Sequence, residues 1–341
     1  MARRGSRPSP ADGLPRQRPE ASGARPSRSG ASPSASGVRR RWDPEGPYDL
    51  LSSLHVLRRG PYDPTCRVVD GAVWRTMRTP AGPVTLRIAA RGGGTGARVE
   101  AEAWGTGAEW SLDRLPALLG ADDDPGAFVA HHDLLREAHR RNPGLRLVRT
   151  GQVMESLIPS VLEQKVTAEE AHRAWRRLVR RFGEPAPGPR EDLHVLPAPR
   201  TWALIPSWEW HRAGVDSKRS ATILRAVQRW SRMEEAARMD LDAAVARLCV
   251  IPGIGPWTAA ETLQRSNGAA DALTVGDLHL PGIVGYALTG RRGCDDDGML
   301  ELLAPYAAQG QRHRAARLLL TTGRIPPRRV PKMPRTDIAT L

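Results

Sequence analysis

The sequence predicts an α+β protein, with a small antiparallel β domain followed by an all-helical core. Three observations carry this. Between Ala72 and Trp104 apolar and polar residues alternate with a period of two, interrupted by turn residues. From about Ser111 the apolar spacing becomes that of helices and stays so. Within the helical part, the stretch IPGIGPWTA (residues 251–259) joins two helices through a backbone almost bare of side chains.

The expected organisation is a tail over residues 1–45, the β domain over 46–115, the helical core over 116–325 and a basic tail over 326–341. Residues 1–42 hold ten Arg against only Asp12 and Glu20, among Ser, Pro, Gly and Ala. Such a segment cannot bury enough apolar surface to offset chain entropy, so it reads as disordered. In the β domain, PVTLRIAA sets Val84, Leu86 and Ile88 against Thr85 and Arg87. ARVEAEAW sets Val99, Ala101 and Ala103 against Glu100 and Glu102. That is a sheet with one solvated face. Pro80–Gly82 and GGGTG (residues 92–96) supply its turns.

In the helical core, Thr167 and Glu170 have the spacing of a capping box, opening a helix with Ala171, Trp175, Leu178 and Phe182 on one face. A second helix follows Asp216, with Ile223, Val227 and Trp230 as its stripe. A third follows Asp240, bearing Leu241, Val245 and Leu248. Late helices cover roughly 297–308 and 311–321.

Composition narrows the function. The chain of 341 residues carries a net charge of +14, which favours polyanionic partners, nucleic acid first. Only Lys165, Lys218 and Lys332 are lysines among 51 basic residues, so an Arg-rich compositional bias explains part of that charge. Cys66, Cys249 and Cys294 lie far apart without a CxxC, which points away from a disulfide framework or a thiolate metal cluster and toward a reducing cytoplasm. No run of about 18 apolar residues reads as a membrane span, and the Arg-rich start has no apolar stretch behind it to make a secretory signal.

At the junction, Gly253 and Gly255 can adopt positive φ and carry no Cβ. Pro256 suits the first turn of the following helix, where its missing N–H is not needed. Helix, tight turn, helix results, and amides beside the positive end of a helix dipole can approach a phosphate. Two glycines alone also fit a plain helix junction.

The residues beyond the junction add more. Asp277 stands 20 positions after Trp257, in DALTVGDLHLPG. This layout resembles the helix-hairpin-helix DNA glycosylase superfamily, and most closely its 3-methyladenine DNA glycosylase II (alkylpurine DNA glycosylase) family, whose hairpin also reads Pro-Gly-Ile-Gly, one residue, then Trp-Thr-Ala. SLIPSVLEQKVTAEEA (residues 156–171) is similar to the family's wedge-bearing helix pair, and GVDSKRSATILRA (residues 214–226) to the segment before the hairpin. The resemblance covers about residues 46–325.

The resemblance implies a helical core in two subdomains with the active cleft between them. The implied activity is monofunctional excision of alkylated purines from duplex DNA in base excision repair. Asp277 would be the catalytic carboxylate, stabilising the oxocarbenium-like sugar and orienting or deprotonating water; by residue type alone, a loop Asp equally makes a turn or caps a helix. Trp257 stands where the superfamily's lyases carry a Schiff-base lysine, and tryptophan cannot do that chemistry. It either lines the base pocket or packs between helices. Glu261, where some relatives carry an aromatic, either favours a cationic base or faces solvent. His279 is a further candidate for the pocket. DNA contacts are implied at Gly253, Gly255, Thr258, Gln164 and Lys165. Lys165 occupies the wedge position, commonly apolar in the family, and either inserts its stem or meets a phosphate. Lys218 and Arg219 either touch DNA or solvate a helix start.

The resemblance also implies Na⁺ or K⁺ on the backbone carbonyls of Cys249, Ile251 and Ile254. No redox or nucleotide cofactor is expected, and the expected species is a cytoplasmic, nucleoid-associated monomer. His131 and His132 lack partners at metal-ligand spacing and read as structural. Two rival functions share these features: a non-catalytic helix-hairpin-helix DNA-binding protein, and a glycosylase for another damaged base.

Overall fold

The computed structural model describes residues 37–92 and 96–327. The expected tails up to Ser36 and from Arg328, and residues 93–95 of the glycine-rich turn, lie outside them. Five strands form one antiparallel sheet: β1 (Val38–Trp42), β2 (Cys66–Val69), β3 (Ala72–Thr79), β4 (Gly82–Arg91) and β5 (Arg98–Trp104), in the order β1-β5-β4-β3-β2. Leu86 lies opposite Ala103 and Ile88 opposite Ala101, so the apolar residues of the two long strands meet on one face. That face packs under Leu50, Leu54, Leu112, Leu115 and Leu119.

Two expectations for this region are corrected. Val38–Trp42, assigned to the disordered tail, is the edge strand β1, paired with β5. Its three arginines are exposed, and a charged edge protects a sheet from pairing with another chain. The outer face is also not simply solvated. Trp74 and Trp104 stack there with ring centroids 5.5 Å apart, and Arg87 and Arg190 lie over Trp74. Gly188 lies against Trp104 so closely that a Cβ would come within 2.6 Å of its ring.

The helical part has two apolar cores, the two subdomains that were expected. One is built around the helix Val153–Leu162, with Trp175, Trp202, Trp210, Ile223, Leu248 and Leu263. The other joins distant pieces of chain, Phe128, Leu135 and Leu145 with Val284, Met299, Tyr306 and Leu319. The predicted caps form. Thr167 and Glu170 make the capping box of helix Ala168–Phe182, and Asp216 and Asp240 cap the helices that follow them. His131 and His132 pack on Tyr306, the His132 Nδ1 lying 2.8 Å from the tyrosine hydroxyl.

Buried charge fastens the sheet layer to the helices. Asp63, 1% exposed, accepts from the Arg59 amide at 2.7 Å, the Thr65 amide at 2.9 Å, the Thr65 hydroxyl at 2.8 Å and the Trp175 indole at 3.1 Å. Arg59 pairs with Glu163 at 2.8 Å. Arg75 of β3 pairs with Glu155 of helix Val153–Leu162. Arg265 donates from Nε to the Val56 carbonyl at 2.9 Å. Removing a carboxylate that satisfies several buried donors costs the desolvation of each one left unpaired. Asp63→Ala is therefore expected to lower the unfolding free energy by about 3 kcal/mol, read from urea denaturation beside the parent protein.

Candidate active site

The hairpin joins helices Leu241–Cys249 and Pro256–Ser266. Ile251 and Ile254 are buried in the first helical core and anchor the turn, and the Ile254 amide donates to the Ile251 carbonyl at 2.9 Å. The two glycines, both free to take positive φ, do different work. Gly253 has φ +99° and sits so close to helix Ser217–Gln228 that a Cβ would lie 2.1 Å from the Thr222 hydroxyl. Gly255 is extended (φ −111°) and caps the second helix, with nothing within 4 Å of where a Cβ would be. Its bareness faces open space in front of a helix N-terminus, where an anion is favoured. Thr258 is 2% exposed, so its side chain is closed to DNA, and its hydroxyl instead accepts from Gln164.

Gln164 belongs to the loop after helix Val153–Leu162. Its Nε2 donates to the Gly253 carbonyl at 2.9 Å and to the Thr258 hydroxyl at 2.8 Å, clasping that loop to the hairpin. Glu163 is held from the other side by Arg59. Arg219, expected to reach DNA or solvent, is buried. It donates to the Leu162 carbonyl at 2.8 Å, fixing the end of the same helix. Between these fixed neighbours Lys165 is exposed with φ +55°, a left-handed conformation that is strained for a residue with a Cβ.

Asp277 lies at the start of helix Leu280–Thr289. Its Oδ1 accepts the amides of His279 and Leu280, each at 2.8 Å, and its Oδ2 accepts the Trp257 indole N–H at 3.0 Å. Burial opposes the charge, but the indole, the two amides and the nearby His279 ring outweigh it and hold the carboxyl below its ordinary value. Trp257 therefore has a partner that neither sequence alternative named. The His279 ring is exposed beside Asp277, and Leu278 between them is 84% exposed.

The Glu261 side chain is 17% exposed, and each of its oxygens accepts a hydrogen bond from within the protein. Its Oε2 accepts from Arg265 at 2.8 Å and its Oε1 from the Thr274 hydroxyl at 3.0 Å. Gln264 donates to Thr274 Oγ1 at 2.8 Å and to the Ala272 carbonyl at 2.7 Å. From the other subdomain the Asp296 carboxylate accepts the Gly276 amide at 3.0 Å, and Arg312 donates from Nε to Asp271 at 2.9 Å. Thr274, Gln264 and Leu278 were not singled out in the sequence. Only the proximity of Thr274 and Leu278 to Asp277 marked them.

Burial pushes the Cys249 thiol up, so it stays protonated, and a hard cation would be held there by carbonyl oxygens. The Ile251 carbonyl accepts a single turn bond and has a second lone pair to offer. Among the described residues no group of His, Cys, Asp and Glu could hold a metal ion, and no helix is long and apolar enough to cross a membrane.

No protein-family model matches the chain. A Mycobacterium tuberculosis protein described as "Probable bifunctional transcriptional activator/DNA repair enzyme AlkA" is 32% identical over 174 residues, 49% of this chain. The chain spans about a third of the length of the curated relatives it matches, 34% of each. Among solved structures, a 3-methyladenine DNA glycosylase from Archaeoglobus fulgidus superposes with a TM-score of 0.68 at 16% identity, covering 83% of this chain and 98% of that one. An 8-oxoguanine glycosylase/lyase from Clostridium acetobutylicum in complex with double-stranded DNA superposes with a TM-score of 0.64 at 11% identity, covering 85% and 98%. These likenesses bear out the fold resemblance read from the hairpin.

Trp257→Phe removes the foremost bond holding the Asp277 carboxyl down, so that group is expected to titrate at higher pH in the variant, read by NMR of the carboxyl carbon. The sign follows from linkage: a depressed carboxyl stabilises the fold above its unfolded pKa, and that contribution is lost as pH falls through the folded one. Gly253→Ala is expected to cost about 2 kcal/mol or more through its φ and the clash with Thr222, whereas Gly255→Ala leaves the melting temperature nearly unchanged. Lys165→Gly relieves a left-handed residue and is expected to stabilise the fold by about 1 kcal/mol, read from thermal melts.

Proposed function

We propose that this chain, which has the fold of the helix-hairpin-helix DNA glycosylases, is a monofunctional glycosylase. In this reading it excises alkylated purines from duplex DNA and leaves an abasic site in base excision repair. The observation that carries the reading is the Asp277 carboxylate held on the Trp257 indole and two backbone amides beside the hairpin. A carboxylate so stabilised is ionised at neutral pH and is a weak proton acceptor. It serves chiefly as a fixed negative charge beside the sugar.

The chemistry follows from that. The target nucleotide leaves the stack. The bond from C1′ to the base nitrogen breaks, its electron pair departing with the base. Asp277 stabilises the positive charge that grows on the sugar. Water adds at C1′ and loses its proton to solvent. A fixed charge does nothing for the leaving base, so the reaction suits a base that is already a good leaving group. A cationic alkylated purine departs neutral. Trp257 offers no amine to C1′, which supports hydrolysis over a Schiff-base lyase reaction.

The open N-terminus at Gly255 suits a DNA phosphate, with Na⁺ or K⁺ on the carbonyls of Cys249, Ile251 and Ile254 adding positive charge there. Lys165, displayed on its braced loop, fills the gap left by the flipped base. The protein acts as a monomer in the cytoplasm on this reading.

The test is release of free base from methylated duplex DNA. The wild type is expected to release 3-methyladenine, and Asp277→Asn to bind the same DNA but release it about 10²–10³-fold more slowly. Borohydride is expected to trap no covalent adduct. DNA binding by both proteins without release from methylated, hypoxanthine or 8-oxoguanine DNA would favour a binding protein over an enzyme. An adduct would overturn the assignment of Trp257.

A further inference from the structure

Residues 272–277 run antiparallel to the second hairpin helix and are tied to it at successive turns. Asp277 is bonded to Trp257, Thr274 to Glu261 and to Gln264, and the Ala272 carbonyl to Gln264. Trp257, Glu261 and Gln264 are three or four residues apart and so share one face of the helix. The same segment crosses from one helical core to the other, since Ala272 belongs to the first and Leu273 to the second. The carboxylate therefore sits at the end of a strap between two bodies.

The middle fastening is oriented and charged. Thr274 Oγ1 receives the Gln264 N–H and donates its only hydrogen to Glu261 Oε1. Glu261 is paired with Arg265 at 2.8 Å, which is fixed in turn by the Val56 carbonyl. A hydrogen bond to a charged acceptor is stronger than a neutral one. A neutral side chain at 261 would hold the strap less firmly.

We propose that Glu261 and Thr274 are positioning residues that set where Asp277 stands, and that Glu261 does not read the base. This rests on Asp277 being the reacting carboxylate. A displacement of about 1 Å in a reacting group can cost roughly 100-fold in rate.

The experiment compares the full chain with Thr274→Val, Thr274→Ser and Glu261→Gln. Two measurements are made: single-turnover release of 3-methyladenine, 7-methylguanine and hypoxanthine, and hydrogen exchange of the Trp257 indole N–H by NMR. Thr274→Val is expected to slow release of every base that the wild type excises by the same factor, about 10–100-fold, with the enzyme concentration at half-maximal single-turnover rate within about twofold. Its indole proton is expected to exchange at least tenfold faster. Thr274→Ser, which keeps the hydroxyl, restores both readouts, and Glu261→Gln falls between.

A Glu261→Gln variant that changes the ratio between cationic and neutral bases would overturn the proposal, because Glu261 would then be reading the base. Unchanged release and unchanged exchange in Thr274→Val would overturn it as well. If the wild type excises no base at all, the glycosylase reading fails separately, and the indole exchange still decides whether the strap holds Trp257 on Asp277.

Discussion

Everything near the hairpin depends on how the sheet layer is held against helix Val153–Leu162. That contact is made by charge inside the protein. Arg75 and Arg59 come from the sheet layer, and Glu155 and Glu163 from the helix and its C-terminal cap. Asp63 adds a carboxylate whose donors come from both sides. Such pairs add little net stability over apolar packing, but they are costly to misalign, so they fix register. Arginine suits the role because its guanidinium keeps its charge at neutral pH even when buried.

The fixed register explains how a strained residue is displayed. Helix Val153–Leu162 ends under the grip of Arg219, Glu163 is gripped by Arg59, and Gln164 by the hairpin. The next residue, Lys165, has no freedom to relax and takes a left-handed conformation. The strain is stored where the surrounding structure over-determines it, and the side chain is thereby aimed outward.

Much of this was legible in the sequence where the signal was local. IPGIGPWTA is contiguous, so its turn and helix start could be read directly, and Thr167–Glu170 gave its capping box three residues apart. The strands β4 and β5 alternate cleanly. Other features carry no local mark. VRRRW carries three consecutive arginines that break the period-two signal, although Trp42 packs against the core of the sheet. Gly253 and Gly255 look alike in sequence, and only the approach of Thr222 separates their roles. Glu261 reads as a surface or pocket residue until Thr274 and Arg265, 13 and 4 positions away, are seen to occupy both its oxygens.

The second helical core joins Phe128–Leu145 to residues beyond Leu273. Asp271 is held by Arg312, the Ala270 carbonyl by the Arg314 amide, and Gly276 by Asp296. On a ribosome the hairpin emerges well before any of these partners. Contacts of such long sequence separation form late and slowly. A nascent chain would thus have its hairpin built while Asp277 still wandered. The order of synthesis alone delays the setting of Asp277 until residues 296–314 have been made.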